Sequence, residues 1–465
     1  MKLKFCGAAR EVTGSAHLIT LDDGYTILLD CGMYQGNSEN MKNFNERWLF
    51  DPSKLDCVVL SHAHIDHSGR LPKLVKDGFQ GTIYATHATR SLCAIMLLDS
   101  ALIQERDAEF HNKHRRHNRD EREPLYTEED VKATMERFVT FSYGKKFEIR
   151  PGVQVEFTDA GHILGSASVA LTVNENGKIT RLGFTGDIGR PNRPILRDPQ
   201  PLKPMDYLIS ESTYGDRLHD AAPQEINRLL HIITETCLKH HGKLIIPAFS
   251  IGRTQEIVYI LDQLENAGQM PPVPVYVDSP LAVNATVVYG SHPECYDSEL
   301  STYILKDPNP FGFSRLTYIK EVEDSKRLNN SNEPCIIISA SGMANAGRVK
   351  HHLFNNIEDS RNTVLIVGYA SPETPAGRLR AGSNHLRLFG EEKMVRCHVE
   401  IMDSFSAHAD RDELSDFLSN QHQSAKRLFL VHGDYEVQES FKSLLLSQNF
   451  HRVEIPELGD EVELG

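Results

Sequence analysis

Three histidines and an aspartate fall within six residues of the stretch SHAHIDHSGR, Ser61–Arg70. Neutral imidazole and carboxylate are the donor set of zinc-type ions, held at about 2.0–2.2 Å. His62 and His64 stand two apart at the end of an apolar run, so their side chains project to one side and can grip one ion. Asp66 and His67 lie around the turn that follows and can face a second ion. A lone HxH is weak evidence, but HxHxDH as a block is strong. Three further candidates end apolar runs beside a glycine: His162 in DAGH, Asp187 in TGD and His432 in LVHGD. Each alone reads more readily as structural, and their weight comes from completing a set. A carboxylate such as Asp187 could bridge two ions at the ~3.5–4 Å separation of two-metal hydrolases. Asp30, which ends YTILLD, suits the task of orienting a ligand histidine from behind. The chemistry such a set supports is metal-assisted hydrolysis.

Strand ends must deliver these residues. LKFCGAA, AHLITL, YTILLDCG and CVVLSHAH predict strands of about 4–8 residues, and GTIYATH predicts another. SLCAIMLLDSALIQERDAEF predicts a helix, and PLYTEEDVKATMERF a second one with Thr127 as N-cap. VQVEFTDAGH, SASVALTV and ITRLGFTGD return to strand. Past residue 206, KLIIPAF, PVPVYVDSP, PCIIISA and TVLIVGYA each feed a loop or helix. That pattern predicts a mostly parallel sheet with helices around it. The expected organisation is one domain over residues 1–205, an α/β insert over 206–380, and completion of the first domain by 381–465.

Composition narrows the setting. The chain has 465 residues, 40% of them hydrophobic, and a formal net charge of −14. Sizeable cores are affordable, and a polyanion must be met by a local basic cleft or metal cations rather than by bulk charge. None of the eight cysteines forms a CxxC pair, and most sit in apolar runs, as expected of reduced buried thiols in an intracellular compartment. MKLKFCGAAREVTG lacks a signal-peptide core, and no run reaches the ~18 apolar residues of a membrane span. A cytoplasmic location with no membrane partner is expected.

The motifs, in their order, resemble a known family. HxHxDH, AGH at 160–162 and TGD at 185–187 look like the metallo-β-lactamase fold, an αββα sandwich of two sheets flanked by helices. Glu211 in SESTYG, His408 in FSAHAD and His432 in LVHGD resemble motifs A, B and C of its β-CASP branch, the nucleic-acid nucleases with an α/β insert. PAFSIGRTQE, SASGMANAGR and VGYASPETPAGRL resemble that branch's conserved loops, so the likeness spans nearly the whole chain. Nearest in appearance are RNA-processing members akin to the nuclease subunit of the cleavage and polyadenylation specificity factor. The resemblance implies two zinc ions per chain. His62, His64 and His162 would hold one, Asp66, His67 and His432 the other, with Asp187 bridging. It also implies single-stranded RNA as partner, and a homodimer as a common assembly.

On that resemblance, the zincs acidify a shared water, whose hydroxide attacks, and neutralise the scissile phosphate, with Asp66 in the catalytic set. His408 becomes the general acid toward the leaving 3′-oxygen, and Glu211 holds its other ring nitrogen, favouring imidazolium. No 2′-hydroxyl is consumed, so RNA preference must come from recognition of the strand. Three loops offer phosphate grips: SIGR with Arg253, SGMANAGR with Ser341 and Arg348, and SPETPAGR with Arg378. The same loops also read as ordinary strand-to-helix turns. The run HNKHRRHNRDERE, 111–123, reads equally as an RNA-contacting arm or a solvated loop.

The leading expectation is a zinc-dependent ribonuclease on single-stranded RNA, an endonuclease with 5′ exonuclease action as a further capacity, in RNA processing or decay. A small-molecule hydrolase of glyoxalase or lactonase type would account for the metal set but leave the insert without a task. A non-catalytic RNA-binding subunit predicts broken ligands, and all seven positions hold competent ones.

Overall fold

Short apolar runs separated by Gly and Asp turns pair into two seven-stranded sheets in the computed structural model, which describes residues 1–36, 41, 43–114, 121–219, 225–368, 370–402 and 407–465. The first sheet runs Glu461–Glu463, Lys2–Phe5, His17–Thr20, Thr26–Leu29, Cys57–Val59, Thr82–Thr86, Phe138–Phe141. It is antiparallel as far as Thr26–Leu29 and parallel beyond. The second runs Val453–Glu454, Arg427–Leu430, Tyr207–Ser210, Lys178–Phe184, Ala167–Glu175, Val153–Asp159, Lys146–Arg150. Its first three pairings are parallel and the rest antiparallel.

The period-2 alternation of the strands sets the layers. Phe5, Ile19, Ile27 and Val59 from one sheet meet Phe157, Val169, Phe184, Ile209 and Phe429 from the other in one core. Leu208, Leu428 and Leu430 point the opposite way, against Leu414 and Phe417 of the helix Arg411–Leu418 and Phe441 and Leu445 of the helix Tyr435–Ser447. The helix His87–His114 lies along Thr82–Thr86 and Phe138–Phe141. The helix Glu128–Met135 starts at Thr127, whose N–H donates to Asp130 at 2.8 Å. The result is helix, sheet, sheet, helix.

A separate six-stranded sheet, in the order Leu316–Ile319, Val275–Asp278, Cys335–Ser339, Lys243–Pro247, Thr363–Val367, His398–Met402, is parallel throughout. A two-stranded hairpin, His385–Leu388 with Glu391–Met394, accompanies it. The chain divides into Met1–Leu218 with His408–Gly465, and His219–Ala407. Both boundaries therefore lie later than the 206 and 380 expected from the sequence. Tyr207–Ser210 is an inner strand of the second sheet, paired with Lys178–Phe184 and Arg427–Leu430, so it cannot open the insert. His398–Met402 pairs with Thr363–Val367, so the insert extends past it. All eight cysteines are buried and free. Of the charged run 111–123, residues 115–120 lie outside the described residues, and 111–114 end the long helix. Among the described residues, no helix is long and apolar enough to cross a membrane.

Candidate metal centre

The chain leaves the first sheet at Ser61. Leu60 still donates to Tyr84 O, at 2.8 Å, but the Ser61 N–H turns to Asp30 Oδ1, also at 2.8 Å. His62 and His64 consequently sit in the loop beyond Cys57–Val59 rather than on the strand, and Asp66 and His67 occupy the one-turn helix Ile65–Ser68. His162 lies in the loop after Val153–Asp159, where its N–H donates to Ser166 Oγ at 3.0 Å. Asp187 follows Lys178–Phe184 through Gly186, whose φ of +58° is left-handed and whose Cβ would stand 2.8 Å from Ser61 Cβ. His432 follows Arg427–Leu430, also with a left-handed φ of 51°. The centre thus gathers residues from loops at the ends of strands in both sheets.

Two clusters result. In the first, His62 Nε2 is 3.1 Å and His162 Nε2 3.2 Å from His64 Nδ1, and Asp187 Oδ2 is 3.5 Å from His62 Nε2. In the second, His67 Nε2 is 3.2 Å from His432 Nε2, and Asp66 Oδ2 is 3.4 Å from His432 Nε2. Asp187 turns Oδ1 to the second cluster, 3.2 Å from His67 Nε2. A tetrahedral ion with ligands at about 2.0–2.1 Å separates its donors by about 3.3 Å. The observed spacings match that edge, and a divalent metal fits the donor chemistry of both clusters.

The outward nitrogens are held by neighbours. Asp30 Oδ2 accepts from His67 Nδ1–H at 2.7 Å and from Ser61 Oγ–H at 2.9 Å. Ser61 Oγ stands 3.0 Å from His62 Nδ1, and Thr213 Oγ1 3.0 Å from His432 Nδ1. These contacts would leave the other ring nitrogen of each histidine to face a metal. Ser61 and Thr213 are hydroxyls that sequence reasoning passed over; their places beside His62 and Glu211 are the one signal that could have found them.

Burial, and the other histidines, push His62 down and hold His64 down at about 4, so both rings stand neutral and ready to ligate. His67 moves the opposite way: burial opposes its charge, but Asp187 and Asp30 hold it well above the usual histidine range. Burial opposes charge on Asp66 too, yet His432 and His67 keep its carboxyl below the usual range.

Beside the clusters, His408 Nδ1 lies 3.3 Å from Glu211 Oε2 and 4.0 Å from Asp187 Oδ2. Glu211 also accepts from the Ile188 N–H. Asp410, two residues on, caps the helix Arg411–Leu418 in a reciprocal box with Glu413, which fixes the chain leaving His408. Burial would lower the His408 pKa, but the Glu211 carboxylate, with Asp187 and Asp66, raises it to about 9. Its side chain is 23% exposed, against 1% for Glu211, so the imidazolium is the member that can reach a substrate.

The loops of the parallel sheet are arranged differently from one another. Arg253 is buried and pairs with Glu256 at 2.6 Å. Arg348 pairs with buried Asp278 at 2.6 Å and donates to Lys320 O. Both guanidinium groups, expected to grip phosphate, are engaged by carboxylates of the same unit. Ser341 Oγ donates to Asn345 Oδ1 at 2.9 Å. Arg378 is exposed.

Comparison with known proteins agrees with this geometry. Residues 9–229 match the model of the metallo-beta-lactamase superfamily, 254–379 that of the Beta-Casp domain, and 392–456 that of the Zn-dependent metallo-hydrolase RNA specificity domain. The chain is 36% identical over 437 residues to Ribonuclease TTHA0252 of Thermus thermophilus, covering 94% of each. It is 30% identical to the transcription termination factor FttA of Methanosarcina mazei, over 92% of this chain and 66% of that one. For the FttA of Pyrococcus abyssi the identity is 31%, over 96% and 68%. The chain thus spans about two thirds of the length of these termination factors. It belongs to the β-CASP family of the metallo-β-lactamase superfamily, as a metal-dependent RNA hydrolase.

Proposed function

We propose that this protein is a ribonuclease that cuts single-stranded RNA with two zinc ions, one on His62, His64 and His162, the other on Asp66, His67 and His432, with Asp187 shared. The observation that carries the reading is the pairing of two clusters of potential metal ligands with a partly exposed, carboxylate-held His408 beside them. Metal bound there would supply Lewis acidity to the scissile phosphate and acidify a water. Asp187 orients both clusters through its two oxygens. Glu211 accepts the Nδ1 proton of His408, which leaves Nε2–H to donate to the leaving 3′-oxygen. Products would carry 5′-phosphate and 3′-hydroxyl ends. For strand contact, exposed Arg378 is the proposed phosphate grip, with Ser341 on the neighbouring loop; the ion pairs of Arg253 and Arg348 favour a structural task for those two.

The test is His408→Ala. Zinc content should stay near two per chain by elemental analysis, while cleavage of 5′- and 3′-labelled single-stranded RNA falls by about 10²–10⁴-fold. Retained cleavage removes His408 from the mechanism, and lost zinc recasts it as a ligand. With the unaltered protein, a ladder of fragments signifies endonuclease action and mononucleotides signify exonuclease action. Chelator should stop both.

A further inference from the structure

The hairpin of the second unit turns through two residues, Phe389 and Gly390, because Leu388 pairs directly with Glu391. Their φ angles are 51° and 87°. Two left-handed central residues make this the kind of turn that favours Asn-Gly, and a bulky ring at the first position has a steric cost. Burial does not offset that cost, since Phe389 is 48% exposed. The ring is nevertheless held in place, with Phe354 at 5.6 Å edge-on and His351 at 4.5 Å between centroids.

Phe389 borders a cavity of about 410 Å³ whose charged lining is Lys350, Arg378 and Arg387 against the single carboxylate Glu373. Lys350 Nζ stands 4.7 Å from the Phe389 centroid, and Arg387 Nε donates to Gly390 O at 3.3 Å. In a chain of net charge −14, this lining carries three cations against one carboxylate, although exposed Glu391 and Glu392 follow the turn. Lys350 and Arg378 follow the strands Cys335–Ser339 and Thr363–Val367, so the cavity lies toward the carboxyl ends of parallel strands, where open sheets bind ligands. Rings that stack on bases, set among cations that meet phosphates, are the composition of single-strand nucleic-acid sites.

We propose that Phe389, Lys350, Arg378 and Arg387 form a nucleotide pocket that holds one unit of a single-stranded RNA, its base stacked on Phe389 and its phosphate met by the arginines. The assignment rests on the ribonuclease reading for its ligand, but its residues are not those of the metal centre.

Phe389→Asn separates stacking from folding, because asparagine suits the turn better than phenylalanine does. Its KM for a 20-nucleotide single-stranded RNA should rise about fivefold or more, and F389W should restore it. Arg387→Glu should reduce the slope of log KM against log salt by about 0.7, as expected for one lost phosphate contact. Oligouridylate should quench the added emission of F389W above the background of Trp48, the one native tryptophan. Absence of cleavage by the unaltered protein would overturn the ribonuclease reading and leave the emission experiment to judge the pocket. Cleavage with an unchanged KM in F389N overturns the pocket. Quenching by AMP as tight as by the oligomer overturns the strand assignment in favour of a free nucleotide.

Discussion

Asp30 serves a ligand from each cluster with one carboxylate: directly His67, and through Ser61 the loop that carries His62. Asp30→Asn should therefore weaken metal binding about 10–100-fold, read by competition with a coloured chelator; wild-type affinity would deny Asp30 that role. The opposite shifts of His64 and His67 separate the clusters. Near pH 7 the second cluster must release the His67 proton to take metal, while His62 and His64 are already neutral. Calorimetric titration in buffers of different ionisation enthalpy should show proton release with one metal and little with the other; equal release would contradict the assignment. With His408 as the proposed acid, active when protonated, cleavage should be present below its pKa and lost as pH rises through it. Metal cations would neutralise Asp187 and Asp66, which help raise that pKa, so the alkaline limb belongs at or below about pH 9. Glu211→Gln should move the limb to lower pH in a rate profile. At this scale the gathering of His62, His64, Asp66 and His67 was legible, because imidazoles and a carboxylate crowded into six residues desolvate one another unless a cation sits among them. Thr213 was not, since a hydroxyl acquires meaning only when Arg427–Leu430 lies beside Tyr207–Ser210.

The parallel strands of the insert were legible as apolar runs because both faces are covered. Its outer strand His398–Met402 was not, for its residues are mostly half-exposed and give no such run. Arginines at loop ends also acquire partners that spacing does not reveal. Spacing displays Arg253 and Arg348, but it cannot display the Asp278 that folds beneath one of them. That carboxylate ends Val275–Asp278 and accepts from Arg348, His352 and Ser325. Removing it takes the carboxylate from partly buried Arg348 and buried His352, whose remaining partners among the described residues are the Ile319 and Lys320 carbonyls and Asn329. Asp278→Ala should cost about 3–5 kcal/mol, seen as a lower denaturant midpoint with metal content unchanged. A shift below about 0.5 kcal/mol, the range of surface changes, would show the network to be dispensable.

The whole molecule divides into two units, each with its own core, and the proposed metal ligands all belong to one of them. A ligand that binds only the folded form stabilises the unit that holds it. Scanning calorimetry should resolve two transitions, and chelator should lower one while sparing the other; equal shifts would mean that the units melt as one. The interrupted organisation was legible from motif order, whereas its edges required strand partners far away in the chain. That same interruption has a temporal consequence. His408, His432 and the strands Arg427–Leu430 and Glu461–Glu463 come from residues made after the entire insert. A nascent chain on the ribosome carries the HxHxDH motif well before His408 and His432. Translation thus orders the assembly, supplying His162 and Asp187 before the insert and His408 and His432 only after it.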